Sequence, residues 1–486
     1  MFTHNSQAKT PLLDAIKSYV EDERAAFYTP GHKRGRGVSQ KMRDLLGSQV
    51  FKADLTELEN LDNLSAPEGV IKEAQVLAAA AFGAEESWFL INGSTAGIIA
   101  AILATCGDGE KIILPRNVHK SIISGLILSG AIPIFVNPEY DSNLDIAHSI
   151  TPEDVADALQ EHPDAKAVMM VYPTYYGVCG DVEAIANLAH QYNIPLLVDE
   201  AHGPHFAFHP DLPPAALSKG ADLTVQSVHK VLSGLTQASI LHVQGDRIDR
   251  DRLTKALQLV QSTSPSYLLL ASLDAARQQM ALSGKELMTQ TLQLAEIARK
   301  EISQIPKLSV LELYPSAGFK NLDRTRLTVI VSELGLTGFA AEYLLTQHGV
   351  LAEFSSGKHL TFIITLGNNQ TDIEKLVQAF QKLDQEHQGE ESTYNCPVYF
   401  DKETPKISPR KAFFAATETL PIKRAVSRIC AEIVCPYPPG IPVLMPGEVI
   451  TPDALEYLLN MQAIGCEITG CVDATLKTLK VVKSEL

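Results

Sequence analysis

No apolar run in this sequence approaches the roughly 20 residues of a membrane-spanning helix. The start, Met1-Phe2-Thr3-His4-Asn5, has neither the basic nor the apolar region of a signal peptide. Positive charge is scarce: 41 Lys and Arg stand against 57 Asp and Glu, a formal net charge of −16, which argues against the basic footprint of a nucleic-acid binder. Cysteine is sparse and odd in number, with Cys106, Cys179, Cys396, Cys430, Cys435, Cys466 and Cys471 scattered along the chain, so a disulfide framework is not expected. Cys430/Cys435 and Cys466/Cys471 repeat one spacing, but neither is a CxxC and no histidine lies close by, so no metal is expected. Internal repeats are absent. Together these absences predict a cytoplasmic protein with reduced thiols and no membrane or nucleic-acid partner.

What is present is an ordinary globular composition, 45% hydrophobic and 20% charged over 486 residues, with a length prior of roughly three domains. Strand-like apolar runs at residues 88–91, 111–114, 132–136, 167–172 and 237–243 alternate with helical patterns at 67–82, 98–105 and 181–192, with a helix ending near Gly130 and with a helix start at Thr151-Pro152-Glu153-Asp154. Two more runs end in polar residues. One reads Leu196-Leu197-Val198-Asp199-Glu200-Ala201-His202-Gly203, and the other Asp222-Leu223-Thr224-Val225-Gln226-Ser227-Val228-His229-Lys230. This alternation predicts an α/β fold with right-handed crossovers and a mainly parallel sheet. The expected organisation is an N-terminal helix and loop arm at 1–62 and a large domain at 63–267. A smaller α/β domain at 268–383 and a linker with a C-terminal α+β domain at 384–486 follow. Strands are expected at 308–313, 327–332 and 360–366, and Pro436-Tyr437-Pro438-Pro439-Gly440-Ile441-Pro442 should be an ordered loop.

Open α/β sheets bind ligands at the carboxyl ends of their strands. One such end presents Asp199, and the next presents Lys230 with Ser227 and His229. An acid and an amine delivered to one crevice suit pyridoxal 5'-phosphate, the amine bonding the aldehyde carbon and the acid pairing with the ring nitrogen. Upstream, a strand, the small-residue turn Asn92-Gly93-Ser94-Thr95-Ala96-Gly97 and a helix start make an anion site for the phosphate. Each feature has a plain competitor: Asp199 as a helix cap, Lys230 as a solvated charge, Ser94 or Thr95 as a simple N-cap. His119 and His202 each read equally as a cap or core histidine and as a ring beside the cofactor. The cationic loop at 27–37 reads as a phosphate or carboxylate attractor or as a solvated loop.

The chain is similar to the bacterial ornithine/lysine/arginine decarboxylase family, fold-type-I pyridoxal phosphate enzymes. The likeness rests on Thr29-Pro-Gly-His-Lys33, Asn92-Gly-Ser-Thr-Ala-Gly97, Asn117-Val-His-Lys-Ser121, Pro173-Thr-Tyr-Tyr-Gly177, Asp199-Glu-Ala-His-Gly203, Ser227-Val-His-Lys230, Ser262-Thr-Ser-Pro265 and Pro436-Tyr-Pro-Pro-Gly-Ile-Pro442, in family order along almost the whole chain. The resemblance implies Lys230 as the Schiff-base lysine and Asp199 as the pyridinium partner. It implies Ser94, Thr95, Ser227 and His229 at the phosphate and His119 stacked on the ring; His202, three residues after Asp199, is expected as a further cofactor contact. Thr263 or Ser264 would reach the phosphate of a neighbouring subunit's cofactor, so the active unit would be a homodimer or a higher homo-oligomer. The chain reaches Thr29-Pro30-Gly31 too early for the receiver-like wing of the family's larger members, and it carries Asp62-Asn63 where members often have two acids. The implied reaction is decarboxylation of a small basic amino acid, arginine to agmatine first, lysine or ornithine next. Glu200, Glu353 and Glu432 are candidates for the distal cation. Arg324 and Arg326 keep an aminotransferase or lyase alternative open, and a non-catalytic polyamine or cofactor binder is a third reading.

Overall fold

The computed structural model describes residues 4–387, 405–438 and 440–483. The chain divides into two compact units. The first holds Met1–Ala104, Glu200–Ser218 and Asp222–Met288, and the second holds Thr105–Asp199, Lys219–Ala221 and Thr289–Leu486.

In the first unit, three strands lie in the order Glu86–Leu90, Ser239–Val243, Leu223–Gln226. The middle strand runs against both neighbours, so the outer two point the same way. All five residues of Ser239–Val243 are buried. Helix Val70–Phe82 follows the expected amphipathic stretch and stops at Gly83, which adopts φ +76° as a left-handed cap. The next helix starts at Gly93, not at residue 98. Its small residues lack an apolar rhythm, which hid its first turn from a periodicity reading.

The second unit carries the parallel part of the fold. Strands Leu196–Asp199, Ala167–Val171, Lys111–Pro115 and Ile132–Val136 lie in that order, every pairing parallel. They are short, apolar and almost entirely buried, as strands covered on both faces must be. Helices Lys120–Ser129, Pro152–Glu161 and Val182–Gln191 provide the crossovers. Thr151 and Asp181 cap the latter two by accepting from Asp154 N and Ala184 N.

The same unit contains an antiparallel sheet in the order Ser309–Val310, Arg326–Ile330, His359–Ile363, Phe354–Ser355. The strand expected at 308–313 is only two residues long, because only those two residues pair in register with Arg326–Ile330. Helices Gly338–Gln347 and Gln370–Glu386 pack on this sheet through Ala341, Leu345, Ile373 and Phe380.

A further core lies between residues 425 and 481, around Leu444, Ile450, Leu458 and Val481. There Thr417–Pro421 pairs antiparallel with Thr478–Val482. Of the expected linker, residues 388–404 lie outside the described residues. Its end is helical instead: Ser408 caps Pro409–Phe414. Pro436 and Tyr437 are not loop but sit in a short ribbon, Cys435–Tyr437 with Glu467–Thr469; a two-stranded edge tolerates proline because no second neighbour needs its missing N–H. No described helix is long and apolar enough to cross a membrane, and no group of described residues has a metal-ligand arrangement.

Candidate active site

The first unit brings most of the expected site residues together. Gly93 takes φ +74° where strand Glu86–Leu90 turns into helix Gly93–Thr105. A side chain there would meet nothing closer than 3.9 Å, so the backbone angle, and not space, calls for glycine. Ser94 and Thr95 therefore occupy the first helical turn, where N–H groups have no intrahelical acceptor and the dipole favours an anion. Gly97 has the opposite reason: a Cβ would lie 2.6 Å from Leu90 Cδ1 and 2.7 Å from Val225 Cγ1. Only a bare backbone lets this helix lie so close on its strands.

Ser227, wholly buried, donates its hydroxyl to Ser94 Oγ at 2.9 Å across 133 residues of sequence. Three residues later, on the one-turn helix Val228–Val231, Lys230 Nζ lies 3.0 Å from His202 Nε2. The amine therefore faces the Nε2 edge of the imidazole, within hydrogen-bond distance of it. His229 Nδ1 donates to Ala238 O at 3.1 Å, which fixes that ring beside the lysine. Ser262 N donates to Asn92 Oδ1 at 3.2 Å, and Ser264 N to Ser262 Oγ at 3.1 Å. The exposed Thr263 and Ser264 are thus carried on a turn tied to the start of the anion-binding segment. Gln261 completes the tie, accepting from Ile91 N at 2.9 Å; nothing in its local sequence marked it.

Asp199 and His119 belong to the second unit. Asp199 ends its strand and is 7% exposed; its carbonyl accepts from Tyr172 N at 3.0 Å. Burial first, then the charge of Asp199, holds the Tyr175 phenol well above its ordinary range. His119 caps helix Lys120–Ser129, its Nδ1 accepting from Ser121 N at 3.2 Å. The segment before it is pinned on two sides. Arg116 pairs with Glu448 at 3.2 Å with both side chains 1% exposed and donates to Pro442 O and Val443 O. Asn117 donates to His148 O at 3.1 Å.

Other candidates have internal partners. Glu200 is fully buried and accepts from Ala216 N and Gln226 Nε2, both at 2.8 Å. Glu432 accepts from Val472 N and Lys480 N. Glu353 is exposed. Arg324 is held by Glu296 and Glu312, and Arg326 is buried. Asp62 turns out to be a helix cap: its carboxylate accepts from Glu68, Gly69, Ile71 and Lys72 N–H, supplying what Gly69 at the N-cap of Val70–Phe82 cannot. Burial raises its pKa, but these backbone bonds outweigh it and hold the carboxyl below its ordinary range. In the 27–37 loop, Arg34 is committed to the carbonyls of Tyr19, Val20 and Asp22, and His32 to Asp54.

The donor set is chemically suited to a phosphorylated aldehyde. Hydroxyls and free N–H groups gather at a helix start, and a primary amine stands three residues after Ser227, which bonds Ser94 there.

An acid ends one buried strand of this α/β fold and a lysine follows another, which is compatible with a fold-type-I enzyme. The chain belongs to the Orn/Lys/Arg decarboxylase family: residues 10–322 match its major domain and residues 395–474 its C-terminal domain. It is 41% identical to the arginine decarboxylase of Bacillus subtilis, with 99% of each chain covered. It is 42% identical to that of Bacillus anthracis, with 98% of each covered. Among solved structures, the Francisella novicida lysine decarboxylase superposes with a TM-score of 0.85 at 23% identity, over 98% of this chain and 82% of that one; at this identity the likeness concerns the fold.

Proposed function

We propose that the protein is a pyridoxal phosphate-dependent arginine decarboxylase that releases CO₂ and agmatine. The observation that carries the reading is the pair of contacts Ser94–Ser227 and Lys230–His202, with Ser227 and Lys230 three residues apart in sequence. The first gathers hydroxyls at a helix N-terminus and the second orients an amine. Four relatives named arginine decarboxylase, 41–42% identical over at least 91% of this chain, support the substrate.

Bound pyridoxal phosphate would supply the electron sink for the pair left at Cα when the carboxylate departs. Each side chain then has a definite task. The N–H groups of the 93–95 turn, with Ser94, Thr95, Ser227 and His229, would hold the phosphate. Lys230 would bond the aldehyde carbon through Nζ and return a proton to the product carbon, with His202 Nε2 orienting the amine. Asp199 would keep a proton on the ring nitrogen, because an opposite charge favours the protonated form. His119 would lay its ring on the cofactor, with Nδ1 already committed to the cap. Thr263 and Ser264 would reach a partner subunit's phosphate, giving a homodimer with active sites at its interface. We place the enzyme in the cytoplasm, at the entry to polyamine synthesis. The four-part organisation, 1–62, 63–267, 268–383 and 384–486, belongs to the same proposal.

The deciding experiment measures CO₂ and amine release from arginine, lysine and ornithine. Arginine should lead the others in kcat/KM by at least about 10-fold, about 1.4 kcal/mol of differential recognition. A lead for lysine or ornithine refutes the substrate, and no CO₂ from any of the three refutes the reaction. Asp199→Ala should retain part of the cofactor and lose on the order of 100-fold in turnover, the lower end of what a positioned proton contributes. Near-normal turnover in that variant would refute ring protonation as its role.

A further inference from the structure

In the core of the first unit runs a chain of four buried polar side chains: Glu200, Gln226, His242 and Ser87. Their exposures are 0, 2, 0 and 2%. Gln226 Nε2 donates to Glu200 Oε2 at 2.8 Å. His242 Nε2 lies 3.2 Å from Gln226 Oε1, and Ser87 Oγ lies 2.7 Å from His242 Nδ1. Burial depresses the His242 imidazole to about 3, so the ring is neutral and carries one proton. The bond to Gln226 Oε1 places that proton on Nε2, and Ser87 donates to Nδ1. Every donor then points one way, towards Glu200, which closes the chain by accepting also from Ala216 N at 2.8 Å.

The placement of this chain gives it a task. Glu200 stands two residues before His202, and Gln226 four residues before Lys230. Backbone bonds bracket the same two segments: Glu200 N donates to Val225 O at 3.0 Å, and Ser227 N to Ala201 O at 3.3 Å. Gly203 allows the acid to fold inward, since a Cβ there would lie 2.8 Å from Glu200 Cγ. Burying a carboxyl with no cation beside it is unfavourable, and burial indeed pushes its pKa up to about 8. Aliphatic side chains would fill the same core without that cost. What they could not supply is a directional lock between the two segments.

We propose that Glu200 and Gln226 are positioning residues: their buried acid–amide bond fixes the register of the two segments that carry His202 and Lys230, and so the orientation of the lysine amine towards its cofactor. The inference rests on the function proposed above. It assigns Glu200 to the core lock and not to the substrate's distal cation.

The test uses isosteric exchanges in the full-length protein. Gln226→Glu sets carboxyl against carboxyl; the exchange Glu200→Gln with Gln226→Glu restores an acid–amide pair in which Ala216 N–H and His242 Nε2–H still find acceptors. Pyridoxal phosphate affinity is measured on cofactor-stripped protein by the visible absorbance that develops, well below the melting temperature, alongside kcat and KM. Gln226→Glu should weaken cofactor binding about 10-fold or more, as expected for a coupled polar pair. It should also lower kcat with KM for the amino acid little changed. The double exchange should return both quantities to within about 3-fold of wild type, equivalent to under 1 kcal/mol. Wild-type affinity in folded Gln226→Glu, or a folded double exchange no better than the single, overturns the proposal. Should Gln226→Glu fail to fold, Gln226→Leu decides by the same measurements. Wild-type protein that takes up no pyridoxal phosphate would overturn the function on which the inference rests, a result distinct from the others.

Discussion

Lys230→Ala should abolish decarboxylation, lowering turnover about 10³-fold or more, the scale on which loss of a covalent catalytic group is felt. The visible band that pyridoxal phosphate acquires on the wild-type protein should vanish with it. The fold should survive, because Lys230 is only half-buried and alanine suits the one-turn helix Val228–Val231 that carries it. Lys230→Arg separates the roles of that side chain. Arginine keeps the charge and can still donate to His202, yet its guanidinium stays protonated and cannot bond an aldehyde carbon. If the amine acts covalently, arginine rescues nothing; if Lys230 serves only as a charge or a hydrogen-bond donor, it restores turnover. Retained absorbance or turnover in Lys230→Ala would refute the assignment outright.

Glu448→Ala should be the most destabilising single substitution among those considered, by about 3–5 kcal/mol, because it strands a buried charge. Arg116 and Glu448 are each 1% exposed on the side chain. The guanidinium also donates to Pro442 O at 2.6 Å and Val443 O at 2.9 Å, and the carboxylate accepts from Met445 N at 2.9 Å. With the carboxylate gone, Arg116 keeps its carbonyls but loses its counter-charge where water cannot replace it. Removing both, as Arg116→Met with Glu448→Leu, should recover part of the loss. It will not recover all of it, since the two carbonyls and the Met445 N–H lose partners worth about 1 kcal/mol each. Urea unfolding of the three proteins measures this ordering. A single variant within about 0.5 kcal/mol of wild type, the range of an ordinary surface change, would show that the pair is not the clamp it resembles. Because the clamp holds the residues just before His119, the Glu448 variant should also lose cofactor affinity.

How far the sequence could be read is clearest at particular residues. Strands Leu196–Asp199 and Leu223–Gln226 and the helices around them were legible, since alternation of apolar runs with turn residues is a local record of backbone geometry. So was the placing of Asp199 at the end of one buried strand and of Lys230 just after another, because a polar residue there stands out. The first turn at Gly93 was not, since glycine, serine and threonine carry no apolar period. Nor was the function of Asp62, whose acceptors' partners lie six to ten residues on in a turn that composition does not specify. Glu200 is the most instructive case: in the sequence it is one of three acids open to a distal cation, and only the packing of Ala216 and Gln226 around it shows a buried acid with internal partners.

By itself, then, the amino-acid order determined the elements, the α/β class and the chemical types gathered at the strand ends, because these follow from short-range sterics and from which side chains water rejects. Tertiary structure alone decided the partners: Ser94 with Ser227, Lys230 with His202, Glu200 with Gln226, Arg116 with Glu448. Those pairs lie 26 to 332 residues apart. Hydrogen-bond partners at such separations are chosen by strand register and loop closure, and neither leaves a mark on the residues nearby.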